Sequence, residues 1–101
     1  MDDERWSSDL NLLCERLAER LDEDGAAHSD AAAITIAVRG LQGLSAEEFA
    51  ADIGIDRAEL SRIETGQVAW ADLPPVILGR AAAEPRLDLD RLAPPGSRGV
   101  S

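Results

Sequence analysis

The sequence predicts an all-α domain. Three observations carry that prediction. Apolar residues recur at helical spacing in successive segments. Those segments are bounded by serine or aspartate at one end and glycine at the other. No pair of alternating stretches offers a second strand for a sheet. The 101 residues, 45% of them hydrophobic, suffice for one domain with a single core.

The first element is an amphipathic helix over residues 7–22. Leu10, Leu13, Cys14, Leu17 and Leu21 fall on one helical stripe. Ser7 or Ser8 is placed to cap its start, with Asp9 favourable in the first turn. Glu15, Arg16, Glu19, Arg20, Asp22 and Glu23 lie mostly off the stripe, and Gly25 is the stop. The second helix starts at Ser29 or Asp30 and runs to Arg39, with Gly40 and Gly43 bracketing its end. Ala31, Ala32, Ala33 and Ala37 favour helix. Ile34, Ile36 and Val38 also suit a strand, but no partner strand exists.

In the third helix Ser45 is followed three residues later by Glu48, a capping box, and the helix ends at Asp52 or Ile53 before Gly54. Asp56 with Glu59 repeats the capping pattern for a helix over 57–65 that stops at Gly66. Residues 67–71 form a connection containing Trp70. Asp72 is the expected cap of a further helix with Pro74 in its first turn. Val76, Ile77, Arg80 and Ala81 give that helix a mixed face. Leu87, Leu89 and Leu92 form a short last turn over the core, and the tail from Pro94 is turn-forming and mobile.

Composition narrows the function. There are 20 acidic and 10 basic side chains, a formal charge of −10, and every basic residue is arginine. General positive attraction to a polyanion is excluded. So is a stacking platform for single-stranded RNA, because the chain has two tryptophans, one phenylalanine and no tyrosine. The single Cys14 excludes an internal disulfide, and with His28 as the single histidine no usual zinc set can be assembled. No apolar run approaches a membrane span, and the acidic start Met-Asp-Asp-Glu-Arg is unlike a signal peptide. A reduced, cytoplasmic setting is expected. No nucleophile–base set, phosphate loop or metal spacing is present, so the reading is not an enzyme and has no cofactor.

Residues 45–66 carry the strongest pattern. Two short helices joined by a glycine turn define a helix-turn-helix. That geometry requires an apolar face on the first helix, a small residue where the second crosses it, and glycine in the turn. It also requires an anchoring hydrophobe after the glycine and a buried pair on the second helix. Phe49 and Ile53, then Ala50, Gly54, Ile55, and Leu60 with Ile63 meet these demands in order.

The stretch from Gly43 to Gly66, opening Leu-Ser-Ala-Glu-Glu and closing Ser-Arg-Ile-Glu-Thr-Gly, resembles the Cro and phage-lambda-repressor class of DNA-binding domains, the XRE family. Looser similarity extends over about residues 31–92. The resemblance implies a compact bundle of about five helices whose third enters the DNA major groove. It also implies sequence-specific binding, usually as a dimer on paired half-sites. Family members often carry glutamine where this chain has Ala46. They often carry serine, glutamine or threonine where it has Asp56, Ala58 and Glu59.

The candidate DNA-binding residues are Ala46, Arg57, Ala58, Glu59, Ser61, Arg62, Thr65 and Gln67. Arg57, at the start of the recognition helix, is placed for guanine or phosphate, or for a nearby carboxylate. Glu59 either accepts from a cytosine amino group or completes the cap with Asp56, and the cap is favoured. Ser61 faces a base or phosphate. Arg62 reaches the backbone or pairs with Glu64, which is read as structural. Thr65 and Gln67 offer neutral donors to phosphate. Arg39 and Arg80 are weaker phosphate candidates. Trp70 is a core plug or a dimer contact, and Trp6 a staple for the first helix.

The expected organisation is an acidic helix and linker over residues 1–28, a helix-turn-helix domain over 29–93 and a flexible tail over 94–101. The leading reading is a sequence-specific transcriptional regulator with double-stranded DNA as partner and helix 57–65 in the major groove. Its rival is a protein-interaction module, acidic or DNA-mimicking, on the same fold. Charge partition separates the two. Residues 1–28 hold nine acids and three arginines, a net of −6, while residues 29–66 hold seven acids and three arginines, a net of −4. The leucine stripe either packs on its own chain or pairs with a partner, a second copy or another protein. No membrane is involved.

Overall fold

A computed structural model describes residues 10–93. Trp6, the serine caps at residues 7 and 8, Asp9 and the tail from Pro94 lie outside the described residues. Among the described residues the architecture is all-α: α1 (Leu10–Glu23), α2 (Ser29–Gln42), α3 (Ala46–Ile53), α4 (Arg57–Glu64), a 3-10 turn (Trp70–Asp72), α5 (Pro75–Ala83) and α6 (Leu89–Leu92).

α2 is the central helix, packed against α1, α4 and α5. Ala31, Ala32, Ala33, Ile34, Thr35 and Val38 are all buried. The alanines let neighbouring helices approach closely. The one polar member, Thr35, donates its hydroxyl to the Ala31 carbonyl at 2.8 Å, so the buried oxygen has a partner within the helix. α2 continues past Arg39 to Gln42 because Gly40 keeps helical geometry. The left-handed residue is Gly43, with φ of 68°.

α1 joins the same core. Cys14 is buried, and Leu10, Leu17, Ala18 and Leu21 pack beside it. Leu13 does not share that role. It is 37% exposed, as Leu12 is 38% exposed. The buried stripe runs through residues 10, 14, 17 and 21, and Leu13 stands a full 100° step from Cys14. Desolvation pushes the Cys14 thiol up to about 11, with Glu15 and Asp30 adding to the effect. Two polar ties fix α1 to α6. Asn11 Oδ1 accepts the Asp88 N–H at 2.8 Å, and the Arg91 guanidinium grips both Glu15 oxygens at 2.8 and 2.9 Å.

The largest fully buried side chains are Phe49, Ile34, Leu60, Ile63, Ile77 and Thr35, so α2, α3, α4 and α5 share one core, with α4 and α5 packed on α2 and α3 packed on α4. Trp70 packs, half-buried, against this core, and Leu73 is buried beside it. α5 starts later than the sequence suggested. Its N-cap is Pro74 and its first residue Pro75, while Asp72 belongs to the preceding 3-10 turn. Proline before proline disfavours helical geometry at the first of the two, which delays the start. α6 is capped by Asp88, whose carboxylate accepts the Asp90 and Arg91 N–H groups, and Leu87 and Leu92 close the core.

Candidate nucleic-acid interface

The helix-turn-helix is built by α3, Gly54, Ile55 and α4. Ser45 caps α3 with a complete box. Its Oγ accepts the Glu48 N–H at 3.1 Å, and the Glu48 carboxylate accepts the Ser45 N–H at 2.9 Å. Gly54 adopts φ of 80°, the left-handed conformation that closes the turn, and its N–H returns to the carbonyls of Ala50 and Ala51. Phe49, Ala50, Leu60 and Ile63 are buried, and Ile53 and Ile55 pack against them. The seven positions picked out by spacing thus form one contiguous junction.

With Leu60 and Ile63 turned inward, α4 presents the opposite arc. Arg57, Ala58, Ser61, Arg62 and Thr65 are exposed, at spacings i, i+1, i+4, i+5 and i+8 that define one helical stripe. Gln67 is exposed just beyond it. Ala46, at the start of α3, is half-buried and packs against the core. α1 packs on α2 and α6 and leaves this stripe exposed.

The polar atoms of the stripe are unequally engaged. Among the described residues Arg57 has no ion-pair or hydrogen-bond partner, and the Ser61 hydroxyl has none. The Thr65 hydroxyl donates to the Ser61 carbonyl at 2.8 Å, and the Gln67 side-chain amide donates to Thr65 Oγ1 at 3.0 Å. That amide keeps a second N–H.

Several charge assignments are corrected. Asp56 stands at the N-cap of α4 in extended geometry, but its side chain makes no cap hydrogen bond, so no second capping box forms. Glu59 turns instead to Arg62, 2.9 Å away on the same helix. Oppositely charged residues three apart meet across one turn, and here that pairing replaces the cap. Arg62 therefore does not pair with Glu64. Glu64 is held by Arg39 of α2 through two parallel hydrogen bonds of 2.8 and 3.1 Å, while the same guanidinium reaches the Leu44 carbonyl at 3.3 Å. Arg80 is also engaged. It pairs with Asp52 and donates to Gln42 Oε1 at 3.0 Å, and it lies 5.9 Å from the Phe49 ring centroid. Arg39 and Arg80 thus brace the motif from behind. Sequence spacing concealed these roles, because their partners stand 25 and 28 residues away; the Glu59–Arg62 pair is local, at i and i+3, but it is missed when Glu59 is given to the cap and Arg62 to Glu64.

One further contact ties the segment before α2 to the end of α4. Gly66 is buried with φ of 81°, and a side-chain carbon built there would stand 2.4 Å from Ala26 Cβ. The His28 N–H donates to the Gly66 carbonyl at 2.9 Å. Gly66 is therefore required twice, by the turn and by this close approach.

Residues 36–73 match the family model described as Helix-turn-helix. That segment is similar to Cro and lambda-repressor-like, XRE-type helix-turn-helix domains, the kind found in DNA-binding regulators. The match begins within α2 and ends before α5. α1 and α6 stand outside it. No curated protein and no solved structure matches the chain significantly. No helix among the described residues is long and apolar enough to cross a membrane.

Proposed function

We propose that the chain is a sequence-specific, double-stranded-DNA-binding transcription regulator acting in the cytoplasm, with α4 lying in the major groove. The observation that carries this reading is the exposed stripe Arg57–Ala58–Ser61–Arg62–Thr65. It stands on a helix whose other face is fixed by Leu60, Ile63 and the Arg39–Glu64 clamp. A rigid helix with small and hydrogen-bonding residues outward fits a groove that admits one helix and displays base edges. Arg57 is assigned to a guanine edge or the adjoining phosphate, and Ser61 to a base or phosphate. The Ala58 methyl is assigned to apolar contact, as with a thymine methyl, and Gln67 to the backbone. Ala46 sits where α3 begins, so the backbone rather than the side chain would meet phosphate there. Two copies on paired half-sites complete the proposal.

The test is selection from a random double-stranded library with the full chain at low salt, followed by titration of the enriched duplex. The expected result is one enriched motif, bound more tightly than a scrambled duplex and weakened by Arg57→Ala. Absence of any enriched sequence overturns the proposal and favours the interaction-module reading.

A further inference from the structure

Three arginines of the helix-turn-helix region are held by carboxylates: Arg39 by Glu64, Arg80 by Asp52 and Arg62 by Glu59. The three pairs are not alike. Arg39–Glu64 joins α2 to α4 with side chains only 25% and 15% exposed, and Arg80–Asp52 joins α5 to α3. Glu59 and Arg62 join no two elements. Both stand on α4, at 37% and 58% side-chain exposure, where a pair contributes little to folding. Its effect falls on the surface of the helix. It neutralises one of the two cations of the exposed stripe, leaving Arg57 as the one without an ion-pair partner among the described residues.

Phosphate neutralisation supplies sequence-independent affinity, and base contacts supply discrimination. We propose that Glu59 is a specificity-determining residue that acts by holding Arg62. In the free protein the carboxylate occupies the guanidinium, so non-specific attraction of this face to phosphate rests on Arg57. Arg62 reaches a phosphate only by leaving Glu59, which puts an uncompensated carboxylate beside the DNA. A duplex that offers backbone alone is therefore held weakly, and one whose base edges also bond the stripe is favoured. This inference rests on the reading of α4 as the DNA-facing helix.

The experiment uses the full chain, its Glu59→Gln and Arg62→Gln variants and the double variant. Each is titrated with the selected duplex and with a scrambled duplex of equal length across a salt series. Far-UV circular dichroism and the melting midpoint should be unchanged by Glu59→Gln, because the pair joins no elements. Glu59→Gln should bind the scrambled duplex several-fold more tightly, with a log–log salt slope steeper by about 0.9, so that the gain shrinks about threefold between about 50 and 200 mM salt. The preference for the selected duplex should fall, and most of the gain should vanish in the Arg62→Gln background. An equal gain in both backgrounds would show that Glu59 acts by its own repulsion of phosphate and overturns the proposal. Unchanged binding of the scrambled duplex overturns it too, as does a loss confined to the selected duplex, the mark of a direct base contact. If the wild-type chain prefers no duplex, the reading of α4 falls first and this proposal with it.

Discussion

Arg39 shows how a single residue changes meaning between sequence and structure. By composition it is a cation beside a nucleic-acid-binding motif. In the fold its guanidinium makes two hydrogen bonds to Glu64 and a third to the Leu44 carbonyl, tying α2 to both α4 and the loop before α3. Hydrogen bonds to charged groups contribute about 1.5–3 kcal/mol when partly removed from water. Arg39→Ala and Glu64→Ala should therefore each lower stability by about 1–3 kcal/mol. The double variant should cost much less than their sum, because both singles lose the same interaction. Chemical denaturation of the four proteins checks this, and additive losses would contradict the clamp.

At the scale of elements, two caps that look alike in sequence differ in structure. Ser45 forms both hydrogen bonds of its box, whereas the Asp56 side chain forms none. Ser45→Ala should cost about 1 kcal/mol. Asp56→Ala should cost clearly less, as judged by the shift in denaturation midpoint at unchanged slope. The helix-turn-helix was legible in the sequence because each of its demands is local. Phe49, Ala50, Gly54, Ile55, Leu60 and Ile63 are set by spacing within one motif, and glycine stops mark its turns. The late start of α5 at Pro75 and the extension of α2 through Gly40 were less visible, since Asp72 and Gly40 are each plausible local boundaries and the true ones lie at Pro74 and Gly43 a few residues on. The exposed stripe of α4 was legible for the same reason as the core: with Leu60 and Ile63 inward, Arg57, Ser61 and Thr65 must point outward. The partners of Arg39, Arg80 and Glu15 were not legible, because nothing in the local pattern brings together residues far apart in the chain.

For the whole molecule, the net charge of −10 is not simply an acidic surface, because among the described residues several carboxylates are held by arginines. Part of it holds the bundle together. Glu15 joins α1 to α6 through Arg91, and the hydrogen bonds from Arg91 hold its carboxyl below the usual range. Glu84 is held low in the same way by Arg86. A carboxyl depressed on folding stabilises the fold above its unfolded pKa, and that contribution is lost as pH falls through the folded value. Asp30 works in the opposite sense. Desolvation and the nearby Asp22 raise it, so its strain at neutral pH is relieved on acidification. Thermal melts across the carboxylate range should show stability falling on the acid side, and Glu15→Gln should flatten that fall. An acid limb unchanged by Glu15→Gln would mean that the α1–α6 tie contributes nothing. The same tie, with Cys14 in the core, places α1 on the body of the domain although the helix-turn-helix match begins only at residue 36.

The central claim is that the exposed face of α4 reads DNA from the major groove. Methylation interference on the selected duplex tests it most directly, because guanine N7 lies in the major groove and adenine N3 in the minor. The account predicts that N7 methylation at guanines within the site blocks binding, and that Arg57→Ala removes the sensitivity at one of them. Binding indifferent to N7 methylation, or sensitive only at adenine N3, would contradict it.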